Sequence, residues 1–224
     1  MPLALITGAS RGLGLATAKA LAERGWSLIL DARGAGDLTA ATTGLEARLV
    51  PGDVADLAHR AELVSLVREH GRLDLLINNA SILGPSPQPS LRDYPLDVLR
   101  MVYEVNVLAP LALCQDLLSL LAGGTVVNVT SDAAVEPYEG WGGYGSSKAA
   151  LEQVSAVLAT EEPGVHVYAF DPGDMRTAMH QAAFPGEDIS DRPLPEAVVP
   201  ALLRLVDEKP AGVRHRASDL LVTA

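Results

Sequence analysis

The stretch Thr7-Gly8-Ala9-Ser10-Arg11-Gly12-Leu13-Gly14 decides how the rest of the chain is read. Before it, Leu3–Thr7 is a short apolar run of the kind that forms a strand buried on both faces. After it, Leu13, Ala16, Ala20 and Leu21 recur at helical spacing through Leu13–Arg24. A glycine-rich turn between a strand and a helix offers the free backbone N–H groups of the helix start to a phosphate. Gly8 suits the tight turn, Gly12 lets the backbone approach a pyrophosphate, and Gly14 lets the helix pack closely on the strand. Ser10, Arg11 and Leu13 complete the turn. The plainer alternative is a strand–helix turn that binds nothing.

The alternation continues outward. Ser27–Ala32, Ala47–Val50, Leu73–Asn78, Thr125–Thr130, Val165–Phe170 and Leu220–Val222 are short apolar runs bounded by Gly, Asp or Pro, and read as further strands. Helical patterns lie between them over Asp56–Glu69, with Asp56 as the cap, over Leu96–Leu121, which Pro110 is expected to bend or divide, and over Tyr144–Ala159. Repeated strand–helix–strand predicts an α/β fold, a Rossmann-type doubly wound parallel sheet of about seven strands with helices on both faces. No linker divides residues 1–224, which read as a single dinucleotide-binding domain. Two proline-bearing stretches, Ser81–Pro95 and Asp174–Pro195, follow strands on the ligand side of such a sheet.

Composition narrows the function. Apolar residues make up 48% and charged residues 20%, which excludes a disordered chain. A net charge of −11 argues against nucleic acid as a partner. The opening residues lack the basic region of a signal peptide, and no apolar run reaches the ~18 residues of a membrane span. The single cysteine, Cys114, excludes a disulfide framework and suits a reducing compartment, so a cytoplasmic location is expected. His59, His70, His166, His180 and His215 have no metal-ligand spacing, and no metal site is expected. No serine sits in a G-x-S-x-G elbow.

Tyr144-Gly145-Ser146-Ser147-Lys148 carries the chemistry. Residues i and i+4 of a helix share one face. A free phenol has a pKa of about 10, and a neighbouring ammonium favours the phenolate, so the phenol can exchange its proton near neutrality. Lysine occurs only at Lys19, Lys148 and Lys209, and one of the three falls at this spacing. Taken without the glycine turn, the pair would read as a solvated helix face.

The G-x-x-x-G-x-G spacing and the Tyr-x-x-x-Lys pair together resemble the short-chain dehydrogenase/reductase family, and the resemblance extends over almost the whole chain. It implies that Ser131, thirteen residues before Tyr144, is the catalytic serine that orients the substrate oxygen. It implies that Asn106, within Glu104-Val105-Asn106-Val107, holds through its main chain a water linked to Lys148. Asn78-Asn79-Ala80-Ser81 resembles the family's Asn-Asn-Ala-Gly segment, which places Asn79 and Ala80 at the cofactor ribose and leaves Ser81 where Gly is usual. Asp53-Val54 resembles the pair that lies near the adenine, although Asp53 reads equally as a helix cap. In Asp171-Pro172-Gly173-Asp174-Met175-Arg176-Thr177 the resemblance puts Pro172, Gly173, Met175 and Thr177 against the nicotinamide end. The segment of about 174–195 becomes a substrate lid, with Met179, His180 and Phe184 as substrate contacts.

The end of the second strand bears on which nicotinamide is bound. The position eighteen residues after Gly14, where NAD-preferring relatives carry an Asp, is Ala32. Arg33 follows it and Arg11 precedes Gly12, so two guanidiniums await a 2′-phosphate. Asp31 is one residue early, and strand alternation is expected to turn it away from the ribose. This favours NADP(H) and leaves NAD(H) open.

The expected function is hydride transfer between NADP(H) and a small-molecule carbonyl or alcohol substrate, as in a ketone or aldehyde reductase. The alternative is a non-catalytic dinucleotide-binding regulatory or scaffold protein of the same fold. An enzyme of this fold that epimerises or dehydrates is a third reading. The resemblance implies a homodimer through Leu96–Leu121 and Tyr144–Ala159, or a homotetramer, which the short C-terminal region puts in doubt.

Overall fold

The computed structural model describes residues 1–221. Seven parallel strands form one sheet: β1 (Leu3–Ile6), β2 (Ser27–Ala32), β3 (Arg48–Pro51), β4 (Leu75–Asn78), β5 (Thr125–Val129), β6 (His166–Asp171) and β7 (Arg214–Arg216). Their spatial order is β3-β2-β1-β4-β5-β6-β7. The helices are α1 (Gly12–Glu23), α2 (Ala35–Ala41), α3 (Leu57–His70), α4 (Leu96–Tyr103), α5 (Ala109–Leu117), α6 (Gly142–Glu161), α7 (Ala178–Ala183), α8 (Val199–Glu208) and α9 (Ala217–Leu221).

Alternation along each strand feeds two cores. Ala4, Ile6, Leu28, Leu30, Leu75, Ile77, Val127 and Phe170 face α1, α8 and α9. Leu3, Leu5, Ile29, Leu76, Val126 and Val167 face Leu63 and Val67 of α3, Leu113 and Leu117 of α5, and Leu158 of α6. Each fully buried Leu or Ile contributes about 2 kcal/mol of transfer free energy. The strand order reverses between β1 and β4, so a crevice opens beyond their carboxyl ends. Among the described residues no helix is long and apolar enough to cross a membrane.

One sequence expectation needs correction. The seventh strand is not Leu220–Val222: Leu220 and Leu221 lie in α9, and Val222 is outside the described residues. The actual strand, Arg214-His215-Arg216, pairs with Ala169–Asp171 of β6 and is polar, so an apolar-run criterion passes it by. The pattern over Leu96–Leu121 is divided, as expected, with the division just ahead of Pro110. A π-turn at Glu104–Leu108 separates α4 from α5, with the Ala109 N–H reaching back five residues to the Glu104 carbonyl. Pro110 has no N–H to give the Asn106 carbonyl four residues earlier, so the break begins ahead of the proline. Asp56 caps α3 as expected, accepting from the Ala58 N–H at 2.7 Å.

Candidate active site

The crevice is a cavity of about 590 Å³. At its floor the glycine turn is pinned by Asn79. Asn79 Nδ2 donates to the carbonyls of Thr7 at 2.8 Å and Gly8 at 3.0 Å, while Thr7 Oγ1 accepts from the N–H groups of Asn79 and Ala80. Gly8 has φ +67°, and a Cβ there would lie 2.9 Å from Ala80 Cα. A Cβ on Gly14 would lie 2.6 Å from both the Gly8 carbonyl oxygen and Asn79 Nδ2. No side chain caps α1, so its first N–H groups are left for a ligand. A cradle emptied of side chains at an uncapped helix start fits a diphosphate.

At the end of the crevice beside β2 and β3, Arg11, Arg33, Asp53 and Val54 all form part of the lining. Asp53 accepts from the Ala55 N–H at 2.9 Å and does not cap α3, a role Asp56 fills. Both Asp31 and Ala32 border the crevice, so alternation does not remove Asp31 from the wall as expected. Its carboxylate is nonetheless engaged: Oδ1 lies 2.6 Å from His59 Nε2, and Oδ2 accepts from the Gly8 N–H at 3.4 Å. Burial pushes the Asp31 carboxyl up and His59 pulls it back. His59 itself is raised, first by its hydrogen bond to Asp31 and against the pull of burial.

At the other end, Ser131, Tyr144 and Lys148 converge on the crevice. Tyr144 and Lys148 sit one turn apart on α6, both buried, with Nζ 5.5 Å from the centre of the phenol ring. Lys148 Nζ donates to the Val129 carbonyl at 2.8 Å. Burial lowers Lys148 to about 7. Burial also holds the Tyr144 phenol above its ordinary value. A hydrogen bond from Ser81 pulls it down, and the charges of Asp132 and Asp171 push it up. The phenol is therefore held protonated, which corrects the expectation that Lys148 lowers it: burial disfavours the ammonium itself, and Lys148 is not among the groups that shift the phenol. Ser131 Oγ donates to Asp132 Oδ1 at 2.8 Å and accepts from the Ala133 N–H at 3.2 Å.

Ser10, Gly12, Leu13, Ala80, Pro172, Gly173, Met175, Thr177, Met179 and His180 also border the crevice. Three expected site residues do not. Gly14 is the packing contact just described. Asn106 is fully buried: its Oδ1 accepts from Ser81 Oγ at 3.1 Å and the Ile82 N–H at 2.9 Å, and its Nδ2 donates to the Ile82 carbonyl and Ser147 Oγ, both at 3.0 Å. Phe184 stacks outside the lining, 4.9 Å from His180 and 5.7 Å from Trp141 between ring centres. Sequence reasoning missed Trp141, Leu83 and Ala183, which wall the crevice beside Tyr144. Trp141 meets the Tyr144 ring edge-on at 5.9 Å. A signal for it existed: a tryptophan in Gly140-Trp141-Gly142-Gly143 has no core pattern to explain it.

Cys114 is buried, and burial pushes its thiol up to about 12, as befits a small core side chain rather than a nucleophile.

The short chain dehydrogenase family profile matches residues 2–188. The chain is 35% identical over 199 residues to a sepiapterin reductase of Rattus norvegicus, covering 80% of this chain and 76% of the relative. It is 34% identical over 213 residues to a benzil reductase ((S)-benzoin forming) of Saccharomyces cerevisiae, covering 89% and 79%. A solved short chain dehydrogenase from Shigella flexneri complexed with NADP superimposes with a TM-score of 0.89 at 29% identity, covering 97% of each chain.

Proposed function

We propose, from the premise that this chain belongs to the short-chain dehydrogenase family, that it is an NADP(H)-dependent reductase of uncharged ketones with a flat aromatic body. It is an oxidoreductase acting between carbonyl and alcohol groups. Residues 1–224 act as one dinucleotide-binding unit, with the segment of about 174–195 as the lid. The observation that carries the substrate reading is the wall beside Tyr144, where Trp141, Leu83, Met179 and Ala183 cluster and, among the described residues, no arginine joins the cluster. The activities in the names of the sepiapterin and benzil reductases support it. Arg11 and Arg33 at the adenosine end, and the NADP in the Shigella structure, support the cofactor.

The glycine turn, with α1 behind it, would hold the diphosphate. Arg11 and Arg33 would hold the 2′-phosphate, and Pro172, Gly173, Met175 and Thr177 the nicotinamide end. The bound cofactor supplies the hydride. Tyr144 Oη donates its proton to the oxygen of the carbonyl under reduction, and burial keeps the phenol protonated until that oxygen gains negative charge. Ser131 Oγ turns its proton from Asp132 to the same oxygen and fixes its position. Lys148 would hold the cofactor ribose, and its Nζ, 5.5 Å from the centre of the phenol ring, would return a proton toward it. Asn106 sets the Ser81 hydroxyl and the π-turn beside it. Exposed Met101 and Leu108 at the α4–α5 junction and Val157 on α6 support a homodimer. The compartment proposed is a reducing cytoplasm.

The test is NADPH consumption on a panel of aryl and alkyl ketones. Tyr144→Phe is expected to lower kcat by about 10²–10⁴ with NADPH affinity unchanged. NADPH binding with no turnover across the panel would return the chain to the non-catalytic reading.

A further inference from the structure

The last strand of the sheet is three residues long and carries two arginines where a sheet would gain more from apolar side chains. One of them has a defined task. Arg214 Nε donates to both oxygens of Glu152, at 3.0 and 3.1 Å, and Arg214 Nη2 donates to Asp171 Oδ2 at 2.9 Å. The other oxygen of Asp171 accepts from the Gly173 N–H at 3.0 Å, so the same carboxylate closes the turn Asp171-Pro172-Gly173. Glu152 Oε1 also accepts from Thr130 Oγ1 at 2.8 Å, and Thr130 immediately precedes Ser131. One guanidinium thus spans β7, α6 and the end of β6, and through Glu152 it reaches the end of β5.

We propose that Arg214 is a positioning residue for the nicotinamide end of the crevice: by clamping Asp171 and Glu152 it holds the turn at Pro172-Gly173 and the base of Ser131 in register. The proposal rests on the reading of this crevice as a dinucleotide site.

The chemistry requires such a clamp. Asp171 is 3% exposed, so its charge needs a partner inside the protein. Arg216 does not replace Arg214, because its Nε stands 3.8 Å from Asp171 on a side chain 46% exposed. Without Arg214 the carboxylate would turn toward water, and in doing so would release the Gly173 N–H. Gly173 sits at φ +69°, a conformation that the turn enforces rather than the strand. An uncompensated carboxylate would also border the crevice where an anionic cofactor enters. Lysine at 214 would supply the charge without the fork that reaches two carboxylates at once.

The experiment measures binding to the cofactor-free protein by intrinsic fluorescence. The probes are NADPH and the adenosine bisphosphate fragment that lacks the nicotinamide. Arg214→Met is expected to weaken NADPH about tenfold, the equivalent of one charge-assisted hydrogen bond, while the fragment binds as before. Adding Asp171→Asn to Arg214→Met is expected to restore most of the NADPH affinity, since an amide oxygen still accepts from Gly173 and leaves no buried charge. Equal weakening of both probes would show a general loss of structure and overturn the proposal. So would unchanged NADPH binding in Arg214→Met, or failure of the second substitution to restore it. Failure of the unsubstituted protein to bind NADPH would overturn the dinucleotide reading instead.

Discussion

Nε2 of His59 stands 2.6 Å from Oδ1 of Asp31, and the two side chains are only 7% and 2% exposed. The pair underlies the adenosine end of the crevice, and its other oxygen takes the Gly8 N–H. The hydrogen bond raises His59 above its ordinary 6.5. The folded protein therefore keeps a proton that the unfolded chain has released. The stability from the His59 proton is complete below about pH 6.5 and is lost as pH rises through the higher folded value, while the raised Asp31 carboxyl takes up its own proton in more acid solution. His59→Gln is expected to cost on the order of 3 kcal/mol in mildly acid solution, and less as pH rises. Urea melts of both proteins across that range check this; a cost independent of pH would contradict it.

Lys148 has the opposite sign. Burial lowers it from 10.5 to about 7, so folding expels its proton between those values. Its charge penalises the cofactor-free fold below about pH 7, and the penalty lifts as pH rises toward 10.5. Lys148→Met is expected to gain stability on the order of 3 kcal/mol at neutral and lower pH, with the gain vanishing in alkaline solution. The same variant is expected to lose turnover. Thermal melts and ketone reduction, measured together, separate the two effects.

Gly14 shows how little space separates α1 from β1. A methyl group there would stand 2.6 Å from the Gly8 carbonyl oxygen and from Asn79 Nδ2. Gly14→Ala is expected to cost about 1–3 kcal/mol as the helix start shifts outward. NADPH affinity should fall with it, because the displaced N–H groups are those that face the diphosphate. Melting temperature and equilibrium binding are the readouts.

Arg33 is exposed on the crevice rim, so it contributes to binding rather than to folding. Arg33→Ala is expected to weaken NADPH about 10- to 100-fold, as the loss of a charge-assisted contact to phosphate, and to leave NADH unaffected. Competition between the two dinucleotides measures it. Equal loss for both would remove Arg33 from the 2′-phosphate site.

The strands that the sequence made legible are those buried on both faces, because Leu3–Ile6, Leu75–Asn78 and Thr125–Val129 have nothing polar to break the run. β7 was illegible for the reverse reason: Arg214-His215-Arg216 forms a strand by pairing with β6 and by its ion pairs, not by burying apolar surface. The site divides in the same way. Glycine turns and an i,i+4 pair are local, so Gly8, Tyr144 and Lys148 could be found from spacing. Trp141, Leu83 and the inward turn of Asn106 depend on which loops meet across the sheet. Asp31 was misjudged because alternation predicts a side and not a partner, and His59 comes from a helix twenty-eight residues away.

The two rims of the sheet share one character. β3 runs from Arg48 to Pro51, and β7 is Arg214-His215-Arg216. Proline withholds a main-chain donor on one rim, and long charged side chains crowd the other, where Arg214 and Arg216 pair with Asp171. Both rims are therefore poor templates for pairing with the outermost strand of a second molecule. The same arginine that steadies the cofactor turn thus sits on a rim built to guard against fibril growth.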